Sequence, residues 1–516
     1  MSCQATKARL AAAAIAVFAA SLSFAAPSRL VNKVIAIGWD LMFCEPEDVL
    51  ANAEAFRDSP CDGVGVAIRD KSVFLPEIVW TKESCARYAD MFRKFRDHPG
   101  LRDSVLEVYF QPRSRLSFAD DAAWAHAASN LATAAWVVRK AGLPGVFFDT
   151  EDYMKAQQFV YGEVDSKAGL SYHDAARLAR RRGRELFAGM FREYPDITLL
   201  AYYMFLATPN YDRFHSQLEP AGQAEIVGDL WMPFLNGMLD AAPDTAKIFD
   251  GNEDAYRHQA HRKSFECSYV ALHRRLQNVI EPENREKFRR VVRQSHGLYL
   301  DMYTNEKGKS WYFGSRTPES TRLDRLAENV EAAVRASDGC VWLYGEKHNF
   351  IDWKGVHPRR TYPSYTNSTW EAALPGFGKA VRFAKDPYAE MMSALKTATP
   401  EMIVRIDTNR YSAALADGAS RNFVVGGLAT GGRYAFAGEM RGVKAEANLV
   451  PAKGSEENWA YGWIYPVLIK RDGEGWVRFA TYVRIPPDCD GFKVFQTSRK
   501  GSPPAQFRNF KVIRLD

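Results

Sequence analysis

From residue 33 to about residue 345 the chain repeats one pattern, a short apolar run of strand length followed by a longer amphipathic segment. The runs are Val34–Leu41, Gly63–Ile68, Val105–Gln111, Val146–Thr150, Thr198–Phe205, Ala246–Asp250, Gly297–Tyr303 and Cys340–Gly345, eight in all. Between them, segments such as Asp121–Lys140, His173–Phe191, Thr321–Ala336 and the long Arg257–Arg293 stretch place apolar residues at i, i+3, i+4 and i+7. Strands that alternate with helices form parallel βαβ units, and eight such units close into a (β/α)8 barrel rather than an open sheet. The first strand is followed by Gly38-Trp39-Asp40-Leu41, so the glycine fingerprint of a dinucleotide site is missing there, and so is phosphate-loop spacing. The barrel is expected over residues 30–395.

After residue 395 the texture changes. Short alternating strands at Met402–Ile406, Arg433–Met440, Ile464–Lys470, Val477–Arg484, Phe492–Gln496 and Phe510–Leu515 are separated by Gly426-Gly427, Gly431-Gly432, Asp472-Gly473 and Asp490-Gly491. That pattern predicts an all-β sandwich, jelly-roll-like, over 400–516. The closing strands, from Trp476-Val477-Arg478-Phe479 to Phe507-Arg508-Asn509-Phe510-Lys511-Val512, resemble the carbohydrate-binding sandwiches attached to secreted polysaccharide-degrading enzymes. The resemblance implies a sugar-binding role. A sandwich that only packs as an accessory is the other reading.

Residues 1–25 carry Lys7 and Arg9, an alanine-rich run from Leu10 to Phe24, and small residues at Ser23 and Ala25 ahead of Pro27. This predicts a cleavable export signal and a secreted or periplasmic protein, with an uncleaved anchor as the alternative. No later stretch has membrane-span length. Cys44, Cys61, Cys85, Cys267, Cys340 and Cys489 are too scattered for a disulfide scaffold; a local bridge from Cys44 to Cys61 or Cys85, or six thiols, are both open. A net charge of +6 over 516 residues argues against a nucleic-acid partner. Aromatics make up 13% of the chain, an excess that the site must help to explain.

In a (β/α)8 barrel the site is built where the strands end. Those ends carry Trp39 and Asp40, then Asp149-Thr150-Glu151, Tyr203, Asp250 and Glu253, Asp301 and Tyr303, and Trp342 with Glu346. Carboxylates supply acid–base and nucleophilic chemistry, and aromatic faces stack on sugar rings. Glycoside hydrolysis requires one protonated carboxyl and a second group to manage an oxocarbenium-like state. Crowded acids push their pKa values apart, which keeps one protonated near neutrality.

Residues 149 and 151 share one side of an extended strand, so one carboxylate can tune the other; a capping cluster for the next helix is the other reading of the pair. Asp149-Thr150-Glu151 resembles the strand-four D-x-E of chitinase-like and hyaluronidase-like glycosidases. The resemblance implies that Glu151 is the general acid and that Asp149 supports a substrate acetamido group acting as nucleophile. It also implies site aromatics at Tyr203 and Trp342. The fuller run of alternating Asp residues found in chitinases is replaced by Val146, Phe147 and Phe148. Glu346, or else Asp301, is the expected nucleophile or base, with a salt-bridged rim residue as the other reading of each. Trp39, Asp40, Tyr203, Asp250, Glu253, Tyr303, Trp342 and Trp353 are the expected substrate-binding residues. Asp250, Glu253 and Asp254 read equally as a cap for the next helix. No H-E-x-x-H, EF-hand or G-x-S-x-G pattern is present, and neither metal nor cofactor is expected. The reading is an exported glycoside hydrolase with a carbohydrate substrate. A non-catalytic polysaccharide-binding protein on the same scaffold and an N-acetylhexosamine-specific, substrate-assisted glycosidase are the alternatives.

Overall fold

The computed structural model describes residues 33–110, 112–151, 156–206, 225, 228–257, 262–309, 311–314, 321–354, 366–404, 411–501 and 504–515; the segment expected to be an export signal lies outside them. The chain divides into two compact units. One runs up to Phe313 and includes Asn329–Gly378; the other comprises Gly314–Glu328 with Lys379–Asp516.

The first unit is built on β1 (Lys33–Gly38), β2 (Gly63–Ser72), β3 (Val105–Tyr109), β4 (Gly145–Asp149), β5 (Thr198–Ala201), β6 (Lys247–Asp250), β7 (Val292–Gln294), β8 (Gly297–Tyr299) and β9 (Cys340–Gly345). They pair in the order β7-β6-β5-β4-β3-β2-β1-β9-β8, and every pairing is parallel. The two ends of this sheet are consecutive in sequence, separated only by Ser295 and His296. The Ser295 N–H donates to the Asp250 carbonyl at 2.8 Å, and the His296 carbonyl accepts from the Trp342 N–H at 3.1 Å. Residues 292–299 are therefore a single interrupted stave that bonds to both neighbours and closes an eight-stave barrel.

The expected seventh strand ends early. Leu300–Tyr303 is a 3-10 turn, in which the Asp301 carbonyl accepts the N–H groups of Thr304 and Asn305. Three helices form much of the outer ring: Asp121–Ala141, Tyr172–Glu193 and Trp231–Ala241. Ser171 caps the second, accepting from the Asp174 N–H at 3.1 Å. The second and third helices approach through glycine. A Cβ on Gly183 would lie 2.0 Å from the Phe234 carbonyl oxygen, and one on Gly237 would lie 1.9 Å from that of Arg180. The long amphipathic stretch Arg257–Arg293 is not one helix. Among the described residues it breaks into Arg262–Val270, a π turn at Ala271–Arg275, and Arg285–Val291 beyond Pro282.

The second unit holds two antiparallel sheets. The larger contains β10 (Ile403–Val404), β19 (Ala505–Arg514), β13 (Arg433–Arg441), β17 (Val477–Arg484) and β16 (Val467–Arg471) in that order, with β11 (Ala413–Leu415) also on β19. The smaller runs β12 (Ser420–Val425), β18 (Gly491–Ser498), β14 (Ala445–Lys453), β15 (Glu456–Glu457). Phe423, Leu449 and Phe492 from one sheet meet Phe436, Phe479 and Phe510 from the other in a single apolar core, which makes the unit a sandwich. The opposite face of the larger sheet, through Ala435, Ala480, Tyr482 and Ile513, packs on Phe383 and Met391. Those two come from helices Phe377–Lys385 and Pro387–Thr397, which precede the strands of the sandwich in the chain. Cys44, Cys61, Cys85, Cys267, Cys340 and Cys489 are all unbridged, and only Cys267 among them is exposed. No helix among the described residues is long and apolar enough to cross a membrane.

Gly183→Ala should cost about 1–3 kcal/mol, because the new methyl group would run into the backbone of the facing helix at Phe234 and Met238. Gly473→Ala, whose Cβ meets nothing within 4 Å, should be near neutral. Thermal melts of the two variants check this.

Candidate active site

The barrel interior is filled by aromatic rings contributed by several staves. Phe147 on β4 lies 4.6 Å from Tyr202 and 5.5 Å from Trp342, centroid to centroid, while Phe148 turns outward onto Phe187. Because side chains alternate along a strand, Asp149 shares the inward face with Phe147. Its Oδ1 accepts the Glu151 N–H at 3.1 Å, and its side chain is almost wholly buried. Asp149 therefore fixes the backbone at Glu151 rather than standing open to a substrate.

Two acidic clusters lie along the rim. In the first, Glu253 begins a 3-10 turn just after β6 and hydrogen-bonds the Tyr203 hydroxyl, with Glu151 and Asp254 close enough to act on its charge. Burial, then the Glu151 charge, push the Glu253 carboxyl up to about 8, against the opposing Tyr203 hydrogen bond. Its Oε2 is buried without a hydrogen-bond partner among the described residues, as is the Tyr256 hydroxyl. In the second cluster, Glu346 accepts from the Tyr344 hydroxyl at 3.2 Å and hydrogen-bonds Tyr299. Asp301 accepts the backbone N–H groups of Glu346 at 3.1 Å and Lys347 at 3.3 Å. Burial raises the Asp301 carboxyl above the usual carboxylate range, although these N–H groups pull it back.

Tyr256 links the clusters. Its ring stacks 5.3 Å from Tyr299 and 6.1 Å from Tyr344, and it feels the charges of both Glu253 and Glu151. Trp311 stands perpendicular to Tyr299 at 6.1 Å and to Tyr256 at 6.5 Å, 40% exposed, with the Arg257 guanidinium 5.3 Å from its ring. Its φ of +56° is a conformation that a bulky residue rarely adopts, and such strain concentrates at functional sites.

Of the residues expected at the site, Glu151, Glu346, Glu253, Tyr203 and Trp39 are half-buried at the rim. Five others are sealed and already engaged. Asp40 Oδ2 accepts from the Phe350 N–H at 2.8 Å and the Trp353 indole N–H at 3.1 Å, so this pair braces a loop. Asp250 spends its oxygens on the N–H groups of Leu206 at 2.7 Å and Asn252 at 3.0 Å; burial pushes it up to about 6. The Tyr303 hydroxyl accepts from Asn329, deep in the core. Trp342 is fully covered, donating to the Gly251 carbonyl at 2.9 Å, and serves as the floor beneath Tyr256 rather than an open platform.

Sequence reading missed Tyr256, Trp311 and the fully buried Glu107 on β3. Tyr299 and Tyr344 carried a signal, since each sits two residues from a rim acid, Asp301 and Glu346, on an alternating segment. Trp311 carried none. Among the described residues no group of His, Cys, Asp and Glu has the arrangement of a metal site.

No family model matches the chain, and no curated protein does. Solved structures similar to it include the catalytic domain of a hyperthermophilic chitinase from Pyrococcus furiosus (12% identity, 69% of this chain and 97% of that one, TM-score 0.36). A Bacteroidetes-affiliated cellulase linked with a polysaccharide utilization locus gives 10%, 69%, 91% and 0.35, and a D-psicose 3-epimerase gives 14%, 68%, 96% and 0.30. The barrel assignment rests on the strand order, and the reading of the site on its own geometry.

The raised Glu253 carboxyl has a consequence for stability. A folded-state pKa of about 8 against roughly 4.3 unfolded means that the native state holds the extra proton between those values. Its contribution is complete below about pH 4 and is lost as pH rises through 8. Asp250, at about 6, acts in the same direction. The melting temperature should fall between pH 5 and 8, and Glu253→Gln should flatten that fall. An unchanged slope in the variant counts against the burial of this carboxyl.

Proposed function

We propose that this protein is an exported glycoside hydrolase acting on a polysaccharide or oligosaccharide through paired rim carboxylates. The observation that carries the reading is Glu253, a carboxyl held at about 8 beside Glu151 and walled by Tyr203 and Tyr256. A carboxyl that keeps its proton at neutral pH is what a glycosidic oxygen needs as it leaves. Glu253 is therefore assigned the general acid, in place of the Glu151 that the D-x-E resemblance implies. Glu151 is the second carboxylate, acting as nucleophile or base toward the anomeric carbon, and Asp149 sets its position. Glu346 orients the Tyr299 and Tyr344 hydroxyls, and Trp311 and Trp39 offer sugar-stacking faces. The leader pattern at residues 1–25 supports export to the periplasm or beyond.

Asp149 bears on the mechanism. With its carboxylate turned to the Glu151 N–H, it does not favour the substrate-assisted route. Hydrolysis of a substrate lacking an N-acetyl group would agree with that.

Screening the mature protein against a polysaccharide panel should give hydrolysis, with Glu253→Gln and Glu151→Gln each lowering kcat/KM by about 10²–10⁴-fold. The rate should decline as pH rises through about 8, where Glu253 loses its proton. Full activity in Glu253→Gln would overturn the assignment. Retained polymer binding with no hydrolysis in the parent protein would leave a non-catalytic sugar binder.

A further inference from the structure

The sandwich unit carries a surface that the barrel chemistry does not use. Between β15 and β16 the segment Asn458–Tyr465 exposes Trp459 (53%), Tyr461 (42%), Trp463 (41%) and Tyr465 (63%). Trp459 and Trp463 meet at 5.0 Å with their planes 74° apart, and both rest on Phe495 of β18, at 6.3 Å and 5.0 Å. The two indoles thus form a supported corner rather than a collapsed cluster.

The corner is held in shape. Asn458 caps the Trp459–Tyr461 turn, its Oδ1 accepting from the Ala460 N–H at 3.2 Å. Gly462, at φ +65°, reverses the chain where a side chain would be strained. The Ile464 N–H returns to the Leu449 carbonyl of β14 at 2.8 Å. Asp488 supplies a polar edge, accepting from the Asn458 amide and the Tyr461 hydroxyl, both at 2.7 Å. Lys493, paired with Glu457 at 2.7 Å, lies 5.8 Å from the Phe495 ring.

We propose that the Trp459–Trp463 corner is a polysaccharide-binding site, separate from the barrel rim, that takes a chain of pyranose rings bearing equatorial hydroxyls. Such rings present axial C–H groups on their faces, which pack flat on an indole, and hydroxyls on their edges, which need carboxylate, amide and phenol partners. The corner supplies both kinds of contact within one loop. Large exposed aromatic surface with a polar rim marks a binding site. The occupant is small. A specific protein interface engages about 20–30 residues a side, whereas this surface consists of one short loop with Asp488 and Phe495 beside it. The neighbouring edge strand β16 also exposes Val467, Leu468 and Ile469, but it ends in Lys470 and Arg471, charges that discourage edge-to-edge pairing with a second copy.

Pull-down of the full mature chain on microcrystalline chitin, amorphous cellulose and granular starch, followed by affinity electrophoresis in soluble β-glucan and xylan, tests the proposal. Retention on at least one β-linked polymer is expected. Trp459→Ala with Trp463→Ala should weaken it by about tenfold or more, from the loss of two stacking faces. Melting temperature and hydrolysis of short soluble oligosaccharides should stay at parent values, and Glu151→Gln should bind the polymer as the parent does. The proposal therefore stands or falls apart from the assignment of the barrel site. It is overturned if the double variant binds as tightly as the parent, if no polymer is retained, or if sedimentation shows that the substitutions instead dissolve a dimer. Trp463→Phe, which keeps a flat ring, should recover part of the binding if a variant with alanine at both positions loses stability.

Discussion

The first unit depends on one closure. Eight staves form a barrel only if the seventh bonds to both the sixth and the eighth, and here that stave is split between β7 and β8. The link holds because Ser295 and His296, fully buried, keep donating and accepting across the gap. Closure brings the ends of β4, β6, β8 and β9 around a common mouth, so that acids 45 to 195 residues apart in the chain, from Glu151 to Glu346 and from Asp301 to Glu346, share one rim.

The aromatic filling inside that ring decides the electrostatics. Phe147, Tyr202, Trp342 and Tyr256 exclude water beneath the rim, so a carboxylate there loses solvation that backbone amides must replace. Asp250 and Asp301 receive such amides and become part of the scaffold. Glu253 hydrogen-bonds the Tyr203 hydroxyl and has Glu151 nearby, and its pKa rises to about 8. The same burial leaves a carboxyl ionised and amide-bound in one position and raises its pKa further in another; the number of N–H groups aimed at it separates the two.

This also explains what the sequence could and could not tell. The strand–helix alternation exposed the barrel, because the period of an apolar run is local information. β9 falls at Cys340–Gly345 and β17 at Val477–Arg484, as expected. β12 and β14 were missed, since three polar residues in succession open the first, Ser420-Arg421-Asn422, and an unbroken apolar run closes the second, Leu449-Val450-Pro451-Ala452, so neither alternates throughout. The rim acids were visible as residue types at strand ends, yet their roles were not. Whether Asp40 stands open or is tied to Phe350 and Trp353 depends on a loop more than 300 residues away in the chain. Trp342 looked like a platform because a tryptophan at a strand end can point up or in, and only the width of the ring at that level settles it.

Asp301 shows how the two kinds of acid work together. Its Oδ1 binds the chain just beyond β9, and its Oδ2 accepts from the Tyr299 hydroxyl at 3.3 Å, so it ties the end of one stave to the next. Tyr299 and Tyr344 are thereby held 5.5 Å apart and tilted by 35°, and Tyr256 stacks on both. A ligand that meets this surface meets rings already fixed in place, so little ordering is left to oppose binding. Trp311 differs from them: it meets Tyr299 and Tyr256 edge-on, carries the Arg257 guanidinium against its ring, and holds a strained backbone conformation at the exposed end of the row.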